Sequence, residues 1–239
     1  MKVSLFITCI CDLLAPKVGK DTVDLLERYG CDVEFPTAQT CCGQPAYNSG
    51  YLKQSKRAMK QMMKAFKDAT YVVGPSGSCV GMIKQYPNIF ATDSKWAEEA
   101  NKLAHKTYEL SQFLVDVLHI EEIDSTFQGK VTYHPSCHMS RLLGEREAPQ
   151  KLLASIQGIE LIDLPQQDIC CGFGGTFAIN YKDISAEMVK EKTSHIQSTG
   201  THYIVGADMA CLLNIKGRLK REGSHIKVKH IAEVLNQRS

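Results

Sequence analysis

Eight of the ten cysteines form two sets that share the same order and nearly the same spacing. In each set a single cysteine precedes an adjacent Cys-Cys-Gly, and a last cysteine follows. The intervals are 31 and 36 residues in the first set and 32 and 39 residues in the second. The sets are Cys9, Cys41, Cys42 and Cys79, and Cys137, Cys170, Cys171 and Cys211. Four soft thiolates gathered at one point predict an iron–sulfur or zinc site.

The spacing favours iron–sulfur over zinc. Structural zinc sites usually draw on ligands that lie two to four residues apart. Apart from the adjacent cysteines, neither set contains such a pair, although zinc stays the inorganic alternative. Repetition of the pattern in register disfavours the simpler view that these are thiols buried in a core. Cys11 and Cys31 have no counterparts in the other half and are predicted to be small cysteines that bind no metal.

The repeat extends beyond the cysteines and predicts an internal duplication. A Lys-Val pair lies seven residues before the first cysteine of each set, and Tyr71–Gly74 matches Tyr203–Gly206 ahead of the last cysteine. The seam is predicted around residues 124–126. This gives a first cysteine-rich unit at residues 1–125 and a second at residues 126–239.

Strands alternate with helices in both halves, which predicts an α/β fold of two similar Rossmann-like units with mostly parallel sheets. The predicted strands are 3–8, 32–35, 71–73, 131–133, 159–164 and 203–205, and the main predicted helices are 18–29, 51–66, 184–197 and 212–221. Each cysteine position follows one of these strands. Because functional loops gather at the carboxyl ends of parallel strands, each unit is expected to collect its four thiols at one mouth.

Composition excludes several classes of protein. The chain has 239 residues, 44% of them hydrophobic, which is ample for one large domain or two smaller ones. A net charge of +2 gives no indication of nucleic-acid binding. No apolar run approaches the roughly 20 residues needed to span a bilayer, and no signal peptide is evident. We therefore expect a cytoplasmic protein, in which ten cysteines indicate metal binding or catalysis rather than disulfides.

Four segments resemble the duplicated CCG-type cysteine-rich iron–sulfur family. They are TCCGQPA at Thr40–Ala46, HPSC at His134–Cys137, CCGFGG at Cys170–Gly175 and KHIAEVL at Lys229–Leu235. Relatives in that family include the B subunit of heterodisulfide reductase and the iron–sulfur subunits of glycolate oxidase and anaerobic glycerol-3-phosphate dehydrogenase. The resemblance covers essentially the whole chain.

The resemblance implies an iron–sulfur electron-transfer subunit of a multi-subunit system that oxidises L-lactate to pyruvate. The implied partners are other lactate-utilization subunits that carry further iron–sulfur or redox centres. All eight cysteines of the two sets would bind the cofactor. The chain shows no nucleotide motif, catalytic triad or convincing substrate-binding arginine cluster, so no catalytic residue is predicted and the chemistry is expected to need partner chains.

One departure from the relatives concerns the last cysteine of each set. Heterodisulfide reductase relatives carry Cys-x-x-Cys there, whereas this chain has Ser76 and Asp208 at the first of those positions. Each unit therefore offers four thiolates, which suits an ordinary [4Fe–4S] cluster, so two such clusters are expected. We expect neither Ser76 nor Asp208 to be an essential ligand, since oxygen is a poor match for iron–sulfur chemistry.

Two other functions stay open from the sequence. One is a thiol enzyme that reduces or exchanges disulfides at the adjacent cysteines, and the other is a zinc-stabilised scaffold that organises partner subunits. His134 and His138 flank Cys137 and could bind metal or carry a proton, but a place behind the ligands or at the surface is favoured. The glycine-rich turn at residues 172–175 is interpreted as backbone whose N–H groups donate to cluster sulfurs.

Overall fold

The computed structural model describes residues 1–238 and contains two four-stranded sheets, both entirely parallel. Their strand orders are β2-β1-β3-β4 and β6-β5-β7-β8, so the two halves share one topology. The predicted α/β fold of two similar parallel units is confirmed. The strands are β1 (Lys2–Leu5), β2 (Asp32–Glu34), β3 (Tyr71–Gly74), β4 (Thr107–Glu109), β5 (Thr126–His134), β6 (Gln157–Ile162), β7 (Tyr203–Gly206) and β8 (Lys227–His230).

Helices connect the strands in both halves, as parallel pairing requires. Those of the first half are α1 (Cys9–Leu14), α2 (Pro16–Arg28), α3 (Gln44–Asn48), α4 (Leu52–Ala65), α5 (Gly77–Lys84), α6 (Tyr86–Ile89), α7 (Ala97–Lys106) and α8 (Leu110–Gln112), which continues into a π-helical turn at Phe113–Val117. Those of the second half are a π-helical turn at Met139–Leu143, α9 (Glu147–Ser155), α10 (Phe177–Asn180), α11 (Lys182–Ser198), α12 (Met209–Arg221) and α13 (Ile231–Leu235). The main predicted helices are present as α2, α4, α11 and α12.

The sequence pattern does not predict the fourth strand of either sheet. Strand β4 has three residues and β8 has the sequence KVKH, so neither shows an apolar run of useful length. Both lie at a sheet edge, where short and charged strands are common because they discourage pairing with other chains. Strand β5 also begins earlier than predicted, and its pairing with β6 shifts register between Thr126 and Gly129.

One apolar core joins the two units. Val73 of β3 and Val205 of β7 both belong to it, together with residues of α2, α9 and α13. The neighbouring residues Val72 and Ile204 lie on the opposite faces of their sheets. Val72 packs in an apolar cluster of the first unit, and Ile204 packs in an apolar cluster of the second unit. Successive side chains of a strand alternate between faces. Each sheet therefore buries one face against its own helices and the other against the shared core, while the boundary between residues 125 and 126 stays a prediction.

Hydrogen bonds join the two units beside the C-terminal end of α2. The Arg28 guanidinium donates to the backbone oxygens of Asp124 at 3.0 Å and Asn236 at 3.1 Å. The Asp124 amide donates to the Tyr29 hydroxyl at 3.0 Å. Both the connecting segment and the C-terminal helix α13 are thus held against the first unit.

Candidate metal centre

All eight cysteines of the two sets line a single cleft between the units. The expectation of a separate mouth for each unit is wrong in this respect, because the carboxyl ends of both sheets open into the same space. Apolar side chains complete much of the lining, among them Ile10, Pro45, Phe173 and Met209. The wall around the sulfurs is mostly apolar, while Cys9 is exposed to solvent.

The outer cysteines of each set sit at the beginning of a helix or turn. Cys9 is the first residue of α1, and Cys79 and Cys211 are third in α5 and α12. Cys137 lies three residues after the end of β5. All four therefore reach the cleft from the segment that follows a strand.

Each Cys-Cys-Gly loop depends on a glycine in the left-handed region. Gly43 has a φ of 86° and Gly172 a φ of 79°. A Cβ at Gly43 would lie 2.9 Å from Ser55 Oγ, and one at Gly172 would lie 2.7 Å from the Ser185 backbone oxygen. The same two serines donate their hydroxyls to the carbonyl of the loop glycine, at 2.8 Å in both units. The loops therefore require glycine and are fixed in the same way.

Another hydrogen bond holds the backbone carbonyl of the second cysteine in each Cys-Cys-Gly loop. The Tyr86 hydroxyl donates to Cys42 O at 2.7 Å, and Asn214 Nδ2 donates to Cys171 O at 2.8 Å. Both donors come from the helical segments that follow the last cysteine of the set. Each loop is thus positioned from two sides before any metal binds.

The thiols of the first set interact directly. Cys9 Sγ lies 3.7 Å from Cys41 Sγ. Hydrogen bonds from the Cys42 and Cys9 thiols lower the pKa of Cys41 to about 3, with help from the Gly43 amide. The same contact with Cys41, together with burial, raises the pKa of Cys42. The neighbouring thiols thus favour the thiolate form of Cys41.

The second set repeats this arrangement. Hydrogen bonds from the Cys137 and Cys171 thiols lower the pKa of Cys170 to about 2, and the Gly172 amide donates to Cys170 Sγ at 3.4 Å. Thiolate sulfur is the form that binds metal. Four sulfurs on preformed loops in each unit are a donor set that fits a sulfur-ligated metal centre.

The two histidines beside Cys137 differ in their surroundings. His138 Nδ1 lies 3.4 Å from Cys137 Sγ at the cleft. His134 is only 1% exposed, and burial lowers its pKa to about 3, so its imidazole is neutral. Of the two expected places, behind the ligands or at the surface, His134 does not occupy the surface.

Ser76 and Asp208 bind each other across the two units. The Ser76 hydroxyl donates to Asp208 Oδ1 at 2.6 Å. Ser78 adds its hydroxyl at 2.6 Å and its amide, which lies 3.1 Å from Oδ2. The Asp208 carboxylate therefore caps helix α5 of the opposite unit, and only 1% of the residue is exposed. His230 Nε2 makes a further cross-unit contact, 3.1 Å from Pro75 O.

We expect Asp208→Ala to lower the free energy of unfolding by about 2–4 kcal/mol, because buried donors of Ser76 and Ser78 lose a charged acceptor. Asp208→Asn keeps one carbonyl acceptor and should cost less. Urea unfolding under anaerobic, reducing conditions measures both. Asp163→Ala, at an exposed aspartate, is the control, and equal effects of Asp208→Ala and Asp163→Ala would contradict this role.

Comparison with known proteins places these features in a family. A model of the CCG cysteine-rich domain matches residues 3–84 and 131–216. Lactate utilization protein A of Oceanobacillus iheyensis is 62% identical, over 99% of this chain and 97% of that protein. The proteins of the same name from Geobacillus thermodenitrificans and Bacillus subtilis are 59% and 54% identical, each over 100% of both chains. The chain belongs to the lactate utilization protein A group of the CCG family.

Solved structures show only a distant likeness. A glutamate racemase from Bacillus anthracis aligns over 98% of this chain and 78% of its own, with 10% identity and a TM-score of 0.38. Agreement at this level supports no argument about function. Within residues 1–238, no helix is both long and apolar enough to cross a membrane.

Cys11 and Cys31 lie in the shared apolar core, as buried cysteines outside the two sets. Sequence reasoning missed Lys192, which is completely buried and donates to Gln167 O at 2.9 Å. Burial lowers the pKa of this lysine to about 8, against the opposing influence of the nearby second-set cysteines. The available signal was its place in the apolar stripe of α11, between Val189 and Ile196.

Proposed function

We propose that this chain is the iron–sulfur electron-transfer subunit of a multi-subunit system that oxidises L-lactate to pyruvate. The observation that carries the proposal is the pair of matched four-cysteine sets opening on one cleft. The names of relatives that match over nearly their whole length support a role in lactate utilization. When bound, an iron–sulfur group supplies one-electron transfer at thiolate-ligated iron.

The residues of the chain would prepare the site for that group. Each set of four cysteines would hold one centre, and the tethered Cys-Cys-Gly loops would fix the positions of two of its sulfurs. The amides of Gly43 and Gly172 stabilise Cys41 and Cys170 as thiolates. Amide donors to sulfur also help to set a cluster's reduction potential. The cleft would let a partner approach both sets from one side.

The lining of the cleft supports assigning lactate chemistry to another chain. No arginine or lysine occurs among the residues that line it in the described structure, so neither of these side chains is available there to bind a substrate carboxylate. Large apolar side chains are exposed on elements that follow the cysteine loops, among them Leu13 of α1, Tyr47 of α3 and Ile179 of α10. Such exposed apolar side chains are candidate contacts for another protein.

One observation favours a second candidate, a thiol/disulfide oxidoreductase. The 3.7 Å approach of Cys9 Sγ to Cys41 Sγ, with Cys41 as thiolate, is an arrangement that could exchange disulfides. All ten cysteines are free thiols in the structure. This function needs only one pair, whereas the full sets of four and their repetition are explained by metal binding.

Metal analysis separates these functions. If both centres are cubanes, we expect about eight iron atoms and eight sulfide ions per chain after anaerobic reconstitution, with visible absorption at about 400 nm. Iron and labile sulfide are measured chemically beside the absorption spectrum. Zinc alone without labile sulfide would favour a zinc-stabilised scaffold, and a colourless chain with dithiol–disulfide activity would favour the oxidoreductase.

A further inference from the structure

His134 has two buried ring nitrogens without a partner. It is the last residue of β5 and is 1% exposed, and neither Nδ1 nor Nε2 has a hydrogen-bond partner in the described structure. An unsatisfied buried polar atom costs about 1–3 kcal/mol. Such a group is retained where something outside the protein atoms satisfies it.

The imidazole faces the second cysteine set. One ring nitrogen of His134 and the sulfurs of Cys171 and Cys211 all lie within 4.8 Å of one another. Both cysteines reach the cleft, and His134 lies behind them in the protein interior. A neutral imidazole offers a lone pair that is a good ligand for iron or zinc. The position therefore places a nitrogen donor beside two sulfur donors.

The first unit carries a phenyl ring at the matching position. Phe6 lies three residues before Cys9, as His134 lies three residues before Cys137. Phe6 is completely buried and packs edge-on against Phe66, with ring centroids 6.1 Å apart. Packing alone is thus satisfied by an apolar ring in this fold, so the imidazole calls for a polar explanation specific to the second unit.

The other polar candidate in the second unit is already engaged. The Asp208 carboxylate accepts hydrogen bonds from Ser76 and Ser78 of the first unit. It cannot turn towards Cys211 without breaking them. His134 has no such contact to lose.

We propose that His134 supplies a nitrogen ligand to the metal centre of the second cysteine set in place of one of its four thiolates, so that the two centres differ in their ligands. This inference rests on the proposed iron–sulfur function. Replacing thiolate by imidazole among the donors of an iron–sulfur centre raises its reduction potential. The second centre is therefore the one with the higher potential, and electrons pass from the first to the second.

Pulsed electron paramagnetic resonance of the reduced, reconstituted chain tests this ligand. Protein grown with ¹⁵N-histidine should show the hyperfine coupling of a directly bound histidine nitrogen. The coupling should persist in His138→Ala and disappear in His134→Phe, which copies Phe6 of the first unit. In a redox titration, His134→Phe should shift one of the two potentials downwards and leave the other unchanged.

Two results would overturn the proposal: wild type without a bound-nitrogen coupling, or a coupling that survives in His134→Phe. The wild-type spectrum decides even if the variant does not fold. Iron and sulfide analysis on the same sample keeps the two proposals apart. Iron and sulfide without a bound histidine nitrogen would refute the His134 ligand alone, whereas absence of iron and sulfide would refute the iron–sulfur function.

Discussion

Cys171→Ser is expected to remove about half of the iron and sulfide from the reconstituted chain, because a hydroxyl is a weak ligand for iron–sulfur centres. The contacts of Cys171 with other thiols lie within its own set, through Cys170 and Cys211. The first set should therefore keep its centre. Cys42→Ser should have the mirror effect, and electron paramagnetic resonance of each variant should show one remaining signal, different in the two cases.

The shared cleft makes this a demanding test, since all eight sulfurs reach the same space. Loss of both centres from either substitution would show that the eight cysteines form one shared centre. Cys31→Ser is a matched control, because Cys31 is a buried cysteine that lies in the apolar core away from the cleft. It should leave metal content unchanged.

The arrangement within each unit could be predicted because local rules determine it. Cysteines that follow parallel strands must emerge at the carboxyl edge of the sheet, and the repeat shows which strands correspond. The way in which the units face each other could not be predicted. The relative placement of the units depends on which sheet faces meet in the shared core, where Val73 and Val205 lie. In the sequence these two valines do not differ from valines of any other buried strand.

The buried polar groups mark a second limit of sequence reasoning. The family resemblance drew attention to Ser76 and Asp208. Spacing along the chain could not reveal the hydrogen bond between them, because the two residues are 132 positions apart. Lys192 and Glu109 were missed because charged residues are rarely buried, so a pattern assigns them to the surface. Each is explained only by the backbone groups that surround it in the fold.

Glu109 is a carboxyl group in the interior. It ends β4, is completely buried, and caps α8 by accepting from the Ser111 amide at 2.7 Å through Oε2. Its other oxygen, Oε1, has no hydrogen-bond partner in the described structure. His230 occupies the matching place in the second unit, where its Nδ1 accepts from the Ala232 amide at 3.2 Å. Burial raises the pKa of Glu109 from 4.5 to about 8.

This raised pKa gives stability a pH dependence of defined sign. Above about pH 4.5 the unfolded chain loses the Glu109 proton while the folded chain keeps it, so stability falls as pH rises, until the folded carboxyl ionises near pH 8. The total loss is on the order of 3–5 kcal/mol. Glu109→Gln cannot ionise, so its gain in stability over wild type should grow from almost nothing near pH 4.5 to about that amount at pH 8.

Urea unfolding of both proteins at several pH values, under anaerobic and reducing conditions, measures the difference directly. Other titrating groups are common to both proteins, so their contributions cancel when the two curves are subtracted. Glu122→Gln is the control, since Glu122 is exposed and its replacement should give a curve parallel to wild type. If Glu109→Gln also ran parallel to wild type, Glu109 would ionise in the fold as readily as in the unfolded chain. The buried end of β4 would then have to supply solvation or a positive partner that the present packing does not provide.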